Sequence, residues 1–358
     1  MDDKVEQSRA DLVKFIEKKF GKGSINIASE MSGLNVERIS TGSISVDIET
    51  GGGLPRGRLT EVYGWESSGK TWICLSTVAS AQKTIKDKNC LWIDVEGCYD
   101  QSWAEIVGVD HSRLDITRPE SAEQVGTIVD AAVRANCYSV IVLDSIAALE
   151  PNEDIDKAMD QNERMGNRAM INNRMVRKLQ SALNCREDGT ILNDTTVIFI
   201  NQLRETIGDM YGPKDTTTGG NGIKFGASVR IEMRRGETIK ETPEVGEHGI
   251  GPDGKIITGV LLKFKTVKNK TFCPLRTGQF ILNTARSEMG KVDKIDEIMR
   301  YGIASGIIKQ SGPSYTLGTD KFFGKEKLLE HLKANPKLIE QIFFDVKKVY
   351  LKCQDPNT

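Results

Sequence analysis

Gly64-Trp65-Glu66-Ser67-Ser68-Gly69-Lys70-Thr71 fits the spacing G-x-x-x-x-G-K-[ST], a pattern that holds phosphate groups. Backbone N–H groups of such a loop wrap phosphate oxygens, and a helix that starts at its end adds its dipole. In this reading Gly64, Glu66, Ser67, Ser68 and Gly69 surround the phosphates of a bound nucleotide. The Lys70 ammonium reaches the β- and γ-phosphates, and the Thr71 hydroxyl ligates Mg²⁺. The flanks agree: residues 59–63 read as a short strand and residues 72–82 as the first turns of a helix. Strand, glycine loop and helix in that order are what the chemistry needs.

A second element of phosphate chemistry lies at residues 140–145. Four apolar residues run into Asp144-Ser145. A buried strand that ends in Asp sets the carboxylate at the carboxyl edge of an open α/β sheet, where ligands bind. There Asp144 can hold Mg²⁺ through water. Glu96 closes the neighbouring run Ile93-Asp94-Val95-Glu96. It either activates a water for attack on the γ-phosphate or caps the next helix as an ordinary strand-end acid. Asn201-Gln202 closes residues 195–200. An amide at a strand tip can bond a γ-phosphate and register its loss; the alternative is a plain turn.

The elements that position these groups follow from periodicity. Residues 91–96, 115–118, 139–144 and 195–200 read as strands, and residues 123–135 and 167–181 have helical spacing between them. Continuous apolar strands alternating with helices imply an α/β fold whose mostly parallel sheet is covered on both faces. Residues 229–234 and 260–267 read as further, antiparallel strands, and 237–259 as a solvated loop or hairpin rich in Gly, Pro and Glu. Residues 34–290 thus form a P-loop core. Residues 1–33 form an amphipathic helix and loop, in which Leu12, Phe15, Ile16 and Phe20 need a partner surface. Residues 291–358 form a small lysine-rich α+β domain with a modest positive excess.

Composition limits the partners. The chain has 358 residues and a net charge of −1, so any nucleic-acid site must be a local basic surface. No run of about twenty apolar residues occurs, so no membrane partner is expected. The seven cysteines are scattered without a C-x-x-C pair, which fits a reducing cytoplasm rather than a disulfide framework. The charged start at Met1 reads as a helix and not as a signal peptide.

At this point the chain resembles the bacterial RecA family. The resemblance runs in order through Phe20-Gly21-Lys22-Gly23-Ser24, Ile39-Ser40-Thr41-Gly42-Ser43, Gly52-Gly53-Leu54-Pro55, the P-loop and Ile93–Glu96. It continues through Asp144-Ser145-Ile146-Ala147-Ala148-Leu149, Phe199–Arg204, Thr216-Thr217-Thr218-Gly219-Gly220-Asn221 and Val267-Lys268-Asn269-Lys270. The last two motifs are specific to RecA-type recombinases. The resemblance implies an ATP-dependent recombinase that forms a helical filament on single-stranded DNA, takes up double-stranded DNA and exchanges strands in repair.

It also assigns residues. Glu96 falls on the catalytic glutamate, and Gln202 on the glutamine that couples the γ-phosphate to DNA. Asp100 matches an adenine contact, and Trp103 stands where the family stacks a tyrosine on adenine. Lys268 and Lys270 match lysines that reach the neighbouring subunit's ATP, and Lys224 and Phe225 match interface residues. DNA would bind two loops, 158–167 and 204–221. Met165 and Ile207 match wedge residues, and Gly166, Arg177, Arg204, Gly219, Gly220 and Asn221 line the path. A damage-response repressor is a further partner that the sequence does not decide.

Several positions depart from the family. Trp65 stands inside the P-loop where a proline is usual, and Trp72 follows Thr71 where a small polar residue is usual, which bears on nucleotide affinity or rate. Met170 replaces a DNA-contacting arginine, for which Arg168 or Arg174 could compensate. The chain ends without an acidic tail, from which readier displacement of competing proteins is expected. Two other functions share the P-loop: a ring-forming helicase or translocase, and a DNA-coating filament that binds ATP with little hydrolysis.

Overall fold

The computed structural model describes residues 2–21, 24–25, 36–155, 166–184, 186–187, 190–191, 193–205, 215–245 and 247–352. Helix α1 (Asp2–Phe20) comes first. Its apolar residues Val5, Leu12, Phe15 and Phe20 are all more than half exposed, so the stripe seen in the sequence finds no cover among the described residues. Helix α2 (Ile44–Thr50) is capped by Ser43, whose Oγ accepts from the Val46 N–H, as Ser at an N-cap should.

The core alternates strands and helices: β1 (Leu59–Gly64), α3 (Lys70–Thr84), β2 (Asn89–Asp94), α4 (Gln101–Val107), β3 (Leu114–Thr117), α5 (Ala122–Ala135), β4 (Tyr138–Asp144) and α6 (Asn167–Leu183). Then come β5 (Thr196–Glu205), β6 (Asp215–Thr217), α7 (Asn221–Gly226), β7 (Val229–Glu241), β8 (Ile256–Asn269) and β9 (Thr277–Asn283). The nine strands form one sheet in the order β9-β8-β7-β1-β5-β4-β2-β3, with β6 paired to β5. From β7 to β3 every pair is parallel. Side chains on a strand alternate between faces, and two cores result. Val62, Trp92, Val142 and Ile198 pack with α3 on one face. Leu91, Ile141, Leu143 and Phe199 pack with α5, α6 and α7 on the other.

The C-terminal part packs α8 (Lys294–Ala304), α9 (Lys325–Ala334) and α10 (Pro336–Lys352) with the antiparallel strands β10 (Ile308–Ser311), β11 (Ser314–Leu317) and β12 (Asp320–Phe323). Its core includes Ile44 and Ile48 of α2. Two buried carboxylates fix this joint. Glu297 accepts from Ser43 Oγ and from the Ile44 and Ser45 N–H groups at 3.1 and 3.0 Å. Asp47 accepts from Thr41 N–H at 2.8 Å and from Lys347 Nζ at 2.6 Å.

Three expectations change. The strand expected at 195–200 continues to Glu205, because β6 pairs with the extension through Leu203↔Thr217 and Glu205↔Asp215; Asn201 and Gln202 therefore lie inside a strand. Strand β7 is antiparallel to β8 but parallel to β1, so it closes the parallel sheet. Much of 237–259 is ladder, paired as far as Glu241↔Ile256, which leaves only about residues 242–255 as the connecting loop.

Candidate active site and nucleic-acid interface

The phosphate loop joins β1 to α3. Gly69 has φ +84°, and a Cβ there would lie 2.4 Å from Leu262 Cδ1, so glycine is required at the turn into the helix. The first N–H groups of α3 have no partner within the helix and face the loop, with the dipole behind them. Buried Ser68 donates from Oγ to Trp65 O at 2.7 Å and ties the loop across. Glu66, Ser67 and Thr71 are exposed at its mouth. Lys70 Nζ donates to Gly64 O at 3.2 Å and Trp65 O at 2.7 Å. Burial lowers its pKa, while Asp144 and Glu96 oppose that shift.

The acids meet at the ends of β2 and β4. The Val95 N–H bonds Asp144 O at 2.8 Å, which carries Glu96 just past the strand end. Burial, with the charges of Glu96 and Asp94, pushes the Asp144 carboxyl up to about 7, and Lys70 offsets this only in part. Asp94 is paired with Arg118, but Asp144 and Glu96 against Lys70 still leave a deficit of positive charge at the phosphate loop, which a cation would fill. Among the described residues no three His, Cys, Asp or Glu side chains form a ready metal cage. Mg²⁺ needs none, since it keeps its waters and takes one or two carboxylates with phosphates. Thr71, Asp144 and the loop amides fit MgATP.

Glu96 is held from two sides. Ser145 Oγ donates to its Oε1, and Gln202 Nε2 donates to the same oxygen at 3.1 Å. Gln202 of β5 and Glu96 after β2 thus touch across the end of β4. Asn201 behaves differently: it is fully buried and bonded within the protein, so it is no phosphate sensor. Ser145 escaped the sequence reading, because a serine after a strand-end Asp carries no distinctive spacing. So did Asp94, whose buried carboxylate accepts from the Cys98 and Tyr99 N–H groups and from Arg118 Nε at 3.0 Å. It shapes the turn that carries Glu96.

The remaining nucleotide residues lie in other surroundings. Asp100 caps α4, accepting from the Trp103 N–H at 3.0 Å, and Trp103 packs beside the α3-side core. Trp72 is buried; its Nε1 donates to Gly290 O at 2.8 Å and its ring lies 5.2 Å from Phe280. It is therefore a core residue and not a nucleotide neighbour, while Trp65 remains partly exposed. Lys268 Nζ donates to the Lys224 and Phe225 carbonyls at 2.8 and 2.9 Å. Burial and the nearby Lys270 and Arg230 lower its pKa to about 8. Lys224 Nζ bonds Thr216 Oγ1 at 3.0 Å, and Phe225 is 73% exposed.

On the neighbouring face lies a cavity of about 180 Å³ lined by Ile146, Ala147, Arg168, Asn172, Arg204, Thr218 and Gly219. Gly219 has φ +88°, and a Cβ there would lie 2.8 Å from Ile223 and 2.9 Å from Ile146. Gly166 caps α6, Gly220 caps α7, and Asn221 opens α7. Arg177 is exposed along α6. Arg168 lines this cavity with Arg204, whereas Met170 is 63% exposed. Met165 and Ile207 lie outside the described residues, as do Glu163, Arg164, Met210 and Lys214.

The family described as the RecA N-terminal domain matches residues 8–286. The chain is 38% identical over 340 residues to Protein RecA of Chlorobium chlorochromatii, covering 94% of this chain and 89% of that one. It is 38% identical over 355 residues to Protein RecA of Haemophilus ducreyi, covering 98% and 88%. Over nearly its whole length, the chain belongs to the RecA family.

Proposed function

We propose that the strand-end contact between Gln202 and Glu96 is where this ATP-dependent DNA recombinase joins hydrolysis to DNA binding. The carrying observation is the 3.1 Å bond from Gln202 Nε2 to Glu96 Oε1. A γ-phosphate seated on Lys70 competes for the Gln202 amide, frees Glu96 to take a proton from water, and pulls on β5. That strand leads into the 204–221 loop, so the pull reaches DNA. Loss of the phosphate restores the bond and relaxes the loop. Mg²⁺ on Thr71 and Asp144 would supply charge neutralisation at the phosphates.

The rest of the site supports a filament. The uncovered stripe of α1, the exposed Phe225 and the Lys268–Lys270 pair fit contacts between subunits, with the lysines directed to the neighbour's ATP. Adenine would lie by Asp100 and Trp103. Single-stranded DNA would lie along Arg177, Arg204 and the turn Gly219–Asn221, held chiefly through its phosphates and therefore salt-sensitive. The lysine-rich domain 291–358 would gather double-stranded DNA. A closed-ring motor and a non-hydrolysing coat gain no support from the relatives. ATP hydrolysis with and without single-stranded DNA, alongside electron microscopy, tests the reading: stimulated hydrolysis with helical filaments is expected. Lys70→Ala should abolish stable filaments and strand exchange, and retained exchange in that variant would overturn the assignment.

A further inference from the structure

Glu61 lies in the middle of β1 and is completely buried. Both its oxygens are committed: Oε1 accepts from Asn201 Nδ2 at 2.8 Å, and Oε2 accepts from Arg230 Nε. A buried ion pair is a poor source of stability, since apolar residues of similar volume do as well. Its neighbours on the same face of the sheet, Leu59 and Phe199, are apolar. A charge at this point therefore calls for a role other than packing.

The partners of Glu61 lead in two directions. Asn201 is saturated, with two donor and two acceptor bonds. Its Nδ2 also donates to Thr218 O at 2.9 Å, and its Oδ1 accepts from Thr218 Oγ1 at 2.6 Å and from the Gln202 N–H at 2.8 Å. Thr218, the residue before the Gly219-Gly220 turn, is thereby clamped to β5 and, through Asn201, linked to Glu61 of β1. On the other side the Arg230 guanidinium sits 4.7 Å from the Tyr63 ring centre. Arg230 pairs across the sheet with Lys268, whose charge it opposes and which Glu61 supports.

We infer that Glu61 is a positioning residue that ties the second DNA loop, through Asn201 and Thr218, to the subunit-facing Lys268, through Arg230. The inference rests on the proposed roles of the 204–221 loop and Lys268. Movement of Thr218 when DNA binds loads the Asn201–Glu61 bond. A shift of Glu61 changes the field that Arg230 exerts on Lys268. DNA occupancy and the subunit contact then influence one another through a contiguous buried network. Such a claim calls for coupling energies rather than spatial intermediacy alone.

Glu61→Gln keeps the volume and removes the charge. The test compares it with wild type for basal ATP hydrolysis, half-saturating single-stranded DNA and half-saturating ATP for filament assembly. Basal turnover within twofold of wild type is expected, with at least tenfold more DNA and several-fold more ATP needed for half-saturation. Combining it with Asn201→Ala should lose no more DNA affinity than the worse single variant, because both cut one path. Additive losses, or unchanged half-saturation values in a folded Glu61→Gln, would overturn the inference. If Glu61→Gln does not fold, Arg230→Gln must raise the ATP required for assembly and weaken DNA stimulation; normal values for both would overturn it equally. Wild-type protein that ignores single-stranded DNA would overturn the loop assignment and this inference with it.

Discussion

Asp144 and Glu96 are both acids at strand ends, yet their surroundings divide their tasks. Asp144 sits against Asp94 and Glu96, and its carboxyl is pushed up to about 7, which suits a group waiting for a cation. Glu96 is exposed and held by Ser145 and Gln202, which suits a base that must be released. Glu96→Gln should lower the steady-state turnover by roughly 10²-fold or more, the usual worth of a general base, while ATP binding and ATP-dependent filaments persist. Turnover near wild type would place the base elsewhere. Trp72 belongs to the same scale. Trp72→Ala should cost about 3–5 kcal/mol in urea unfolding and leave ATP affinity within about twofold where the protein is folded. A large loss of affinity without loss of stability would contradict the core position of the ring beside Phe280.

Helix α1 makes the clearest case for an element whose partner is another molecule. Leu12, Phe15 and Phe20 recur at helical spacing and remain exposed, and an isolated amphipathic helix gains its stability from burial. Deleting residues 1–24 should leave ATP binding intact and abolish filaments, as read by nucleotide titration and electron microscopy. Filaments of normal length would assign the stripe another role. Helix α2 shows the opposite case. It precedes the P-loop in sequence but buries Ile44 and Ile48 among the helices of the C-terminal part, so these two regions share a core although nearly 250 residues separate them.

In the single chain Lys268 sets a condition on the pH at which subunits assemble. Its pKa, lowered to about 8 by burial and by Lys270 and Arg230, leaves it charged at pH 7 and increasingly neutral as pH rises through that value. A subunit contact that depends on this ammonium weakens in the same direction. Filament stability should therefore decline between about pH 7 and pH 9. Lys268→Arg, which stays charged, should flatten the decline; an equal decline in both proteins would remove Lys268 from the contact. Sedimentation of filaments across the pH series measures this.

The sequence by itself determined the phosphate loop, the acids at 96 and 144 and the alternating core. Phosphate binding restricts residue type at fixed spacing, and a doubly covered strand must be continuously apolar; both constraints are local and so are written locally. Family resemblance extended this to Gln202 and Lys268. The tertiary structure alone decided what each side chain meets. It turned Trp72 into the core, saturated Asn201 with Glu61 and Thr218, carried β5 past Gln202 by pairing it with β6, and seated α2 among the C-terminal helices. Each of these outcomes depends on which residues 10 to 300 positions apart come into contact, and no one-dimensional pattern encodes that, because burial and hydrogen bonding are satisfied by neighbours in space.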